Sequence, residues 1–162
     1  MNKNRINSVR LYNTPLEIAT RMLIILSATS KRKRIDMDRI MYIDYLSLNT
    51  ADIGGPESLH APIPNRGVQV YAKKDLIRKG LTILLSKELI DVYPGSQGFE
   101  YSINGSGIKF LEHFHTEYFL QLVENTKWVT NAFNDSSNVK LKNFIDTNIQ
   151  NWGGELFSIE KS

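Results

Sequence analysis

The histidines are the first residues of this sequence whose chemistry needs an explanation. His113 and His115 lie two positions apart, so on a helix their side chains would point in different directions, and no HExxH-type spacing surrounds them. His60 follows Glu57 and Ser58, which would offer a base and a nucleophile, but no GxSxG turn follows a strand and triad members are rarely close sequence neighbours. We predict that His60 braces its loop or contacts a partner; an unrecognised active site around His60 or His115 is the competing hypothesis.

Glycine and aspartate patterns give no stronger chemical signal. Gly54-Gly55-Pro56 does not continue into GK[ST], and Gly105-Ser106-Gly107 lacks the rest of a dinucleotide fingerprint. Asp36, Asp38 and Asp44 would suit a metal-dependent nuclease, but a helix start explains the first two and an ordinary helix position the third. We therefore predict a non-enzymatic protein with no catalytic residue, no metal and no cofactor.

Positive charge is concentrated in two stretches of the chain. Residues 1–34 carry eight Lys and Arg against one acid, and residues 66–87 carry six against one, whereas residues 88–162 carry five against ten. Clustered bases suit a row of phosphates, although a solvated turn or charge pairing within the chain explains the same pattern. The candidate contacts with DNA or an acidic surface are Lys31, Arg32, Lys33, Arg34, Lys73, Lys74, Arg78 and Lys79.

The elements that must position these residues are mostly helices. Thr14-Pro15-Leu16-Glu17 supplies a capping hydroxyl, a proline and an acid, which predicts a helix over residues 15–28. A second helix is predicted from Asp36 or Asp38, and a third helix begins between Val68 and Asp75 and ends near Lys87. Residues 49–67, here called the Gly-Pro loop, contain three prolines and three glycines. A loop of this length is often a binding element.

Two alternating runs, at residues 89–93 and 99–103, flank a proline-glycine turn and predict a β-hairpin. Three helices followed by a hairpin is the order of a winged helix, whose third helix reads DNA in members that bind it. Helical spacing then predicts two further helices, separated by a break near His115-Thr116. A last helix is predicted from Ser137 to Trp152. The predicted class is α+β, mainly α, with a winged-helix-like core and C-terminal helices. The predicted divisions are a basic lead at residues 1–13, the domain at residues 14–134, and a C-terminal helix and tail at residues 135–162.

The composition indicates a cytoplasmic protein without a membrane segment. There is no cysteine, which is compatible with a reducing compartment. The polar, basic N-terminus lacks the apolar region of a secretory signal. The longest apolar run, Met22-Leu23-Ile24-Ile25-Leu26, is far shorter than the ~20 residues needed to span a bilayer.

A family resemblance rests on several motifs taken together. They are Glu17-Ile18-Ala19-Thr20-Arg21-Met22-Leu23-Ile24-Ile25-Leu26-Ser27, Ile43-Asp44-Tyr45, Gly55-Pro56-Glu57-Ser58-Leu59-His60, Leu76-Ile77-Arg78-Lys79-Gly80-Leu81, Gly98-Phe99-Glu100-Tyr101, Tyr118 and Trp128-Val129. With these, residues 14–133 resemble the small middle component of bacterial ABC-three-component conflict systems, related to the LmuC subunit of Lamassu antiphage defence. The last 30 residues lie outside the resemblance.

The resemblance implies a subunit that assembles with an SMC-like ABC ATPase and an effector, commonly a nuclease. Foreign double-stranded DNA sensed by the complex would then release the effector. The subunit looks similar to the winged-helix accessory subunits of SMC complexes, and the resemblance brings no catalytic residue. The alternative is a free-standing winged-helix DNA-binding regulator. The candidate partner contacts are Pro56, Glu57, Ser58, Leu59, His60 and Arg66.

Overall fold

The computed structural model describes residues 14–29, 34–60, 67 and 69–152. In these residues the helices are α1 (Pro15–Ala28), α2 (Met37–Leu48), α3 (Gln69–Ala72), α4 (Lys74–Ser86), α5 (Gly105–Leu111), α6 (Glu117–Ala132) and α7 (Asn138–Asn148). The strands are β1 (Ile35–Asp36), β2 (Ile90–Gly95) and β3 (Gly98–Ile103), and Thr50–Ile53 forms a 3₁₀ turn. The predicted class, α+β with mainly α structure, is confirmed.

The chain divides into two compact units. The first unit takes its described residues from 14–29, 34–37 and 75–113, and the second takes them from 38–60, 67, 69–74 and 114–152. Each unit therefore combines segments that lie far apart in the sequence. None of the helices in the described ranges is long and apolar enough to cross a membrane.

In the first unit, α1 begins where its sequence predicts. The Thr14 side chain accepts a hydrogen bond from the Glu17 amide at 3.3 Å, and Pro15 occupies the first helical position, where its missing N–H has no bond to make. Helix α4 packs closely on α1 at Gly80, because a Cβ there would lie 3.1 Å from Cγ2 of Ile18. Glycine at this position lets the two helices approach.

The first unit also contains a three-stranded antiparallel sheet in the order β1-β3-β2. The predicted hairpin is confirmed: β2 and β3 pair from Ile90 opposite Ile103 to Gly95 opposite Gly98. The two-residue strand β1 was not predicted. Asp36 lies in β1 opposite Glu100 and directly precedes α2, so it also stands at the helix start that the sequence predicts.

The second unit is built around α2, in which every residue from Arg39 to Leu48 is buried. In the same unit, α7 contributes the buried Leu141 and Ile145, both 0% exposed, and the ring of Trp152 stacks on that of Tyr45 of α2 with centroids 5.2 Å apart. The C-terminal helix is therefore part of the core of this unit. The predicted break near His115-Thr116 is confirmed, because α5 ends at Leu111 and α6 begins at Glu117.

A buried arginine holds the connection between α6 and α7. Arg39 is 4% exposed and donates hydrogen bonds to the backbone carbonyls of Phe133 and Ser136, each at 2.9 Å, and to Oδ1 of Asn138 at 3.2 Å. A charged side chain is tolerated in a protein interior when its donors are satisfied in this way. The turn that follows α6 is thus fixed to α2.

Candidate partner and nucleic-acid interfaces

The described part of the Gly-Pro loop, residues 49–60, folds back on itself. Thr50 is 0% exposed, and its hydroxyl donates to the carbonyl of Pro56 at 2.7 Å. The Ser58 hydroxyl accepts a hydrogen bond from the Ala51 amide at 3.0 Å. Between these contacts the 3₁₀ turn ends at Gly54, whose φ of 73° lies in the left-handed region that favours glycine. The loop is therefore ordered by its own side chains.

Asn125, in the middle of α6, fastens this loop to the helix. Its side chain is 0% exposed, and its Nδ2 donates to the hydroxyl of Thr50 at 3.2 Å and to the carbonyl of Glu57 at 3.1 Å. Its Oδ1 accepts from Nε2 of Gln121 at 2.8 Å. Sequence reasoning missed this residue. A signal was present, because helical spacing places a polar amide on the same face as the apolar Leu122 and Val129.

Gly55 brings the loop backbone against an aromatic ring of the same helix. A Cβ at this position would lie 2.6 Å from Cζ3 of Trp128, closer than any side chain could approach without displacing the ring. Only glycine leaves room for the indole. Gly55 and Trp128 both belong to the motifs that carry the resemblance, and this contact gives a physical reason for their occurring together.

His60 holds the other end of the described loop. Its Nε2 lies 3.0 Å from the hydroxyl of Tyr118, and the two rings stack with centroids 6.1 Å apart. The side chains of Ser58 and His60 thus have separate partners, Ala51 and Tyr118. His60 braces its loop, one of the two roles predicted for it. Within the described ranges no group of three histidine or carboxylate side chains could hold a metal ion.

The predicted partner contacts differ in how much surface they offer. Glu57 is exposed, whereas Pro56, Ser58, Leu59 and His60 are half-buried. Arg66 lies outside the described residues. The backbone carbonyl of Glu57 accepts hydrogen bonds from Thr50 and Asn125, so its carboxylate can be changed without removing them. The role of these residues in contacting a partner stays a prediction.

The predicted basic residues do not form one group. Arg34 lies over the ring of Tyr93, 3.6 Å from its centroid, which is a cation–π contact on the hairpin. Arg78 pairs with Asp75 at 2.7 Å, and Lys79 is exposed beside it on α4. These residues belong to the first unit.

The other predicted bases include Lys74, the first residue of α4, the helix that also carries Arg78 and Lys79. Lys74 pairs with Asp38 at 3.4 Å, and the half-buried Lys73 directly precedes it. Lys31, Arg32 and Lys33 lie outside the described residues. The structure thus places three of the predicted bases, Lys74, Arg78 and Lys79, on one helix.

Comparison with known proteins identifies the family. A family model described as "ABC-three component (ABC-3C) system Middle Component 2" matches residues 11–155. The chain belongs to this family. No curated protein and no solved structure matches it. The resemblance to a middle component is confirmed, and the protein is an accessory component of an ABC-three-component antiphage system.

The described residues of the two units of this middle component carry similar net charges. Those of the first unit include six Lys and Arg against seven Asp and Glu, a net charge of −1. Those of the second unit include six against eight, a net charge of −2. Net charge over these residues therefore does not distinguish the two units.

A cluster of polar side chains fastens α3 to α7 in the second unit of the middle component. The Tyr71 hydroxyl and the Lys142 ammonium both donate to the carboxylate of Asp146. The hydrogen bonds from Lys142 and then Tyr71 hold the pKa of Asp146 below its usual range, while burial first, and then the bond to Asp146, raises the pKa of Tyr71. Because folding lowers the pKa of Asp146, this contribution to stability is present at neutral pH and is lost as the pH falls through that pKa.

Proposed function

We propose that this middle component is a non-catalytic subunit that links an SMC-like ABC ATPase to its effector, commonly a nuclease, in a Lamassu-type defence complex. The Gly-Pro loop is the contact element for a protein partner, and the bases of the first unit contact double-stranded DNA held by the complex. The protein acts in the cytoplasm. Sensing of foreign DNA by the assembled complex then releases the effector.

The observation that carries this proposal is the way in which the Gly-Pro loop is held. Three separate contacts with α6, made by Asn125, Trp128 and Tyr118, fix a loop whose surface offers the exposed Glu57. A loop that is already ordered loses little conformational entropy on binding, so that more of the contact energy appears as affinity. The loop is held by the buried amide of Asn125 and by a close contact with Trp128 that only a glycine at position 55 permits. This ordering of a surface loop supports a role in recognising a partner.

Reversing the charge of Glu57 tests the loop without disturbing its supports. We expect Glu57→Lys to weaken association with the ATPase or the effector by about 2 kcal/mol or more, roughly thirtyfold in Kd, because a like charge or an unpaired charge is placed in the interface. The isolated subunit should keep its unfolding midpoint. Co-purification of the three components, followed by titration of the purified subunit into its partners, measures the change.

The matched control is Asp135→Lys, which reverses another exposed carboxylate of the second unit. Asp135 lies beyond the end of α6, and the helical rise from Asn125 to Ala132 alone is roughly 10 Å. This variant should assemble like the wild type. Full assembly of Glu57→Lys would overturn the loop as contact element.

The alternative function is a free-standing winged-helix DNA-binding regulator. The observation that favours it is the series α1, α2 and α4 followed by the β2–β3 hairpin, with exposed Arg78 and Lys79 on α4. It predicts that the isolated full chain binds duplex DNA, and that Lys79→Gln reduces the slope of log K against log salt by about 0.9. Measurement of binding over a salt series checks this. A chain that fails to bind duplex at low salt rules out the regulator.

A further inference from the structure

The junction between β3 and α5 contains the only Asn-Gly pair of the sequence, Asn104-Gly105. An asparagine that precedes a glycine is chemically reactive in a flexible chain, because the glycine amide nitrogen can attack the side-chain carbonyl without hindrance from a Cβ. The attack forms a bond between the Gly105 nitrogen and Cγ of Asn104 and breaks the bond from Cγ to Nδ2. Nδ2 leaves as ammonia with the proton of the Gly105 amide, and a five-membered succinimide ring remains.

Water then opens the succinimide in one of two ways. Its addition to the side-chain carbonyl gives aspartate at position 104. Its addition to the main-chain carbonyl gives isoaspartate, in which the backbone runs through the former side chain and is one methylene longer. In both cases one water molecule is consumed and one ammonia is released, so the deamidation needs no oxidant, metal or cofactor.

In the folded first unit, hydrogen bonds hold both ends of the carboxamide of Asn104. Its Oδ1 accepts from the amide of Gly107 at 3.0 Å, and its Nδ2 donates to the carbonyl of Glu88 at 2.9 Å. A longer contact of 3.4 Å joins Nδ2 to Oδ1 of Asp91. Cγ therefore cannot turn towards the nitrogen of Gly105 unless these hydrogen bonds break.

The backbone at the junction also opposes ring closure. The ψ angle of Asn104 is −180°, which keeps the Gly105 nitrogen staggered with respect to Cβ of Asn104, whereas the succinimide requires the two to be nearly eclipsed. Gly105 is the first residue of α5, so this rotation would displace the start of the helix. We propose that Asn104 is a modification site that the folded first unit protects and that deamidates when the β3–α5 junction opens.

The products do not fit the junction. Aspartate at position 104 lacks the donor that binds the carbonyl of Glu88, and it would place a second carboxylate beside Asp91. Isoaspartate lengthens the backbone directly before α5, where the packing leaves no room. A Cβ on Gly107 would already lie 2.3 Å from the carbonyl oxygen of Leu89. Deamidation is thus a one-way mark, because a chain that acquires isoaspartate while it is open does not rebuild this junction.

The rate of deamidation of the full chain tests the protection. The chain is incubated at mildly alkaline pH in buffer and in guanidinium chloride at a concentration that unfolds it, and is then digested with trypsin. In the peptide of residues 88–109, Asn104 is the only asparagine, so the mass gained when NH₂ is replaced by OH identifies it. We expect the reaction to be at least about tenfold slower in buffer, because only molecules with an open junction react.

Gly105→Ala is the matched control for the chemistry. A Cβ at position 105 would meet open space among the described residues, so this variant should fold like the wild type. Its methyl group hinders the attack, and we expect it to stay unmodified in guanidinium chloride over the time in which the wild type reacts. After dilution into buffer, the aged wild type should recover less circular dichroism than a fresh sample, in proportion to its isoaspartate content. Aged Gly105→Ala should recover the signal of its own fresh sample.

Each part of the proposal has a result that overturns it. Equal rates of deamidation of the wild type in buffer and in guanidinium chloride would mean that the fold does not protect Asn104. Complete recovery of chains that carry isoaspartate would overturn the one-way mark. An equal loss of recovery in aged Gly105→Ala would assign the loss to a reaction elsewhere in the chain. These outcomes do not depend on any partner of the middle component.

Discussion

Ending the chain at Ser136 is expected to unfold the second unit. The deletion removes Leu141, Ile145 and Trp152, all of which are buried, and exposes the ring of Tyr45 on which Trp152 stacks. Burial of a large apolar side chain stabilises a fold by roughly 1.5–3 kcal/mol, so the loss is on the order of 5–9 kcal/mol. Whole domains are stable by only about 5–15 kcal/mol. The near-ultraviolet circular dichroism of the truncated chain should lose the contribution of Trp128, which belongs to the second unit.

Ending the chain at Trp152 provides the control, because it keeps all three side chains. Urea unfolding of both truncated chains and of the full chain gives the comparison. We expect the chain that ends at Ser136 to unfold at a lower urea concentration than the chain that ends at Trp152, because only the latter keeps these buried side chains. If the two truncated chains unfolded at the same urea concentration, α7 would not be part of the core.

The second large effect is expected at Asn125. Asn125→Leu keeps a side chain of similar size but leaves the carbonyl of Glu57 and the side chain of Gln121 without the hydrogen bonds that the amide provides. Unsatisfied buried polar groups cost about 1–3 kcal/mol each, so we expect the free energy of unfolding to fall by about 2 kcal/mol or more. Association with the ATPase or effector should weaken as well, because the loop must then be ordered on binding.

Hydrogen exchange separates this effect from general destabilisation. The amide of Gly55 donates to the carbonyl of Thr50 at 2.9 Å within the loop, and its exchange should become much faster in Asn125→Leu than that of amides in α1. The control is Asn131→Leu, at an exposed asparagine of the same helix. An unchanged exchange rate at Gly55 in Asn125→Leu would mean that the loop holds its shape without α6.

Local signals made the helices predictable. The capping hydroxyl of Thr14 and the proline at position 15 predict the start of α1. In the same way, the hydroxyls of Thr116 and Ser137 cap α6 and α7 by accepting hydrogen bonds from amides three residues ahead. The hairpin follows from alternation around a proline-glycine turn. By contrast, β1 is two residues long and exists because it pairs with β3, more than 60 residues away. No local pattern can reveal such a strand.

The candidate sites were predictable only in part, for the same reason. The length of the Gly-Pro loop indicated a binding element, but its supports, Asn125 and Trp128, lie about 70 residues further along the chain. The pairing of Lys74 with Asp38 was also hidden, because these residues lie 36 positions apart in the sequence (74 − 38). Residue type and spacing identified the candidates, while tertiary contacts decided their surroundings.

The contact between Glu57 and Asn125 has a consequence for the order of events during synthesis. The two residues are 68 positions apart, so a ribosome adding about 5–20 residues per second exposes the loop several seconds before α6 emerges to hold it. The hairpin of the first unit, formed by β2 and β3, leaves the ribosome within that interval. The Gly-Pro loop is thus among the last parts of the nascent chain to mature, so the proposed contact with a partner can form only after the helix that supports the loop has been made.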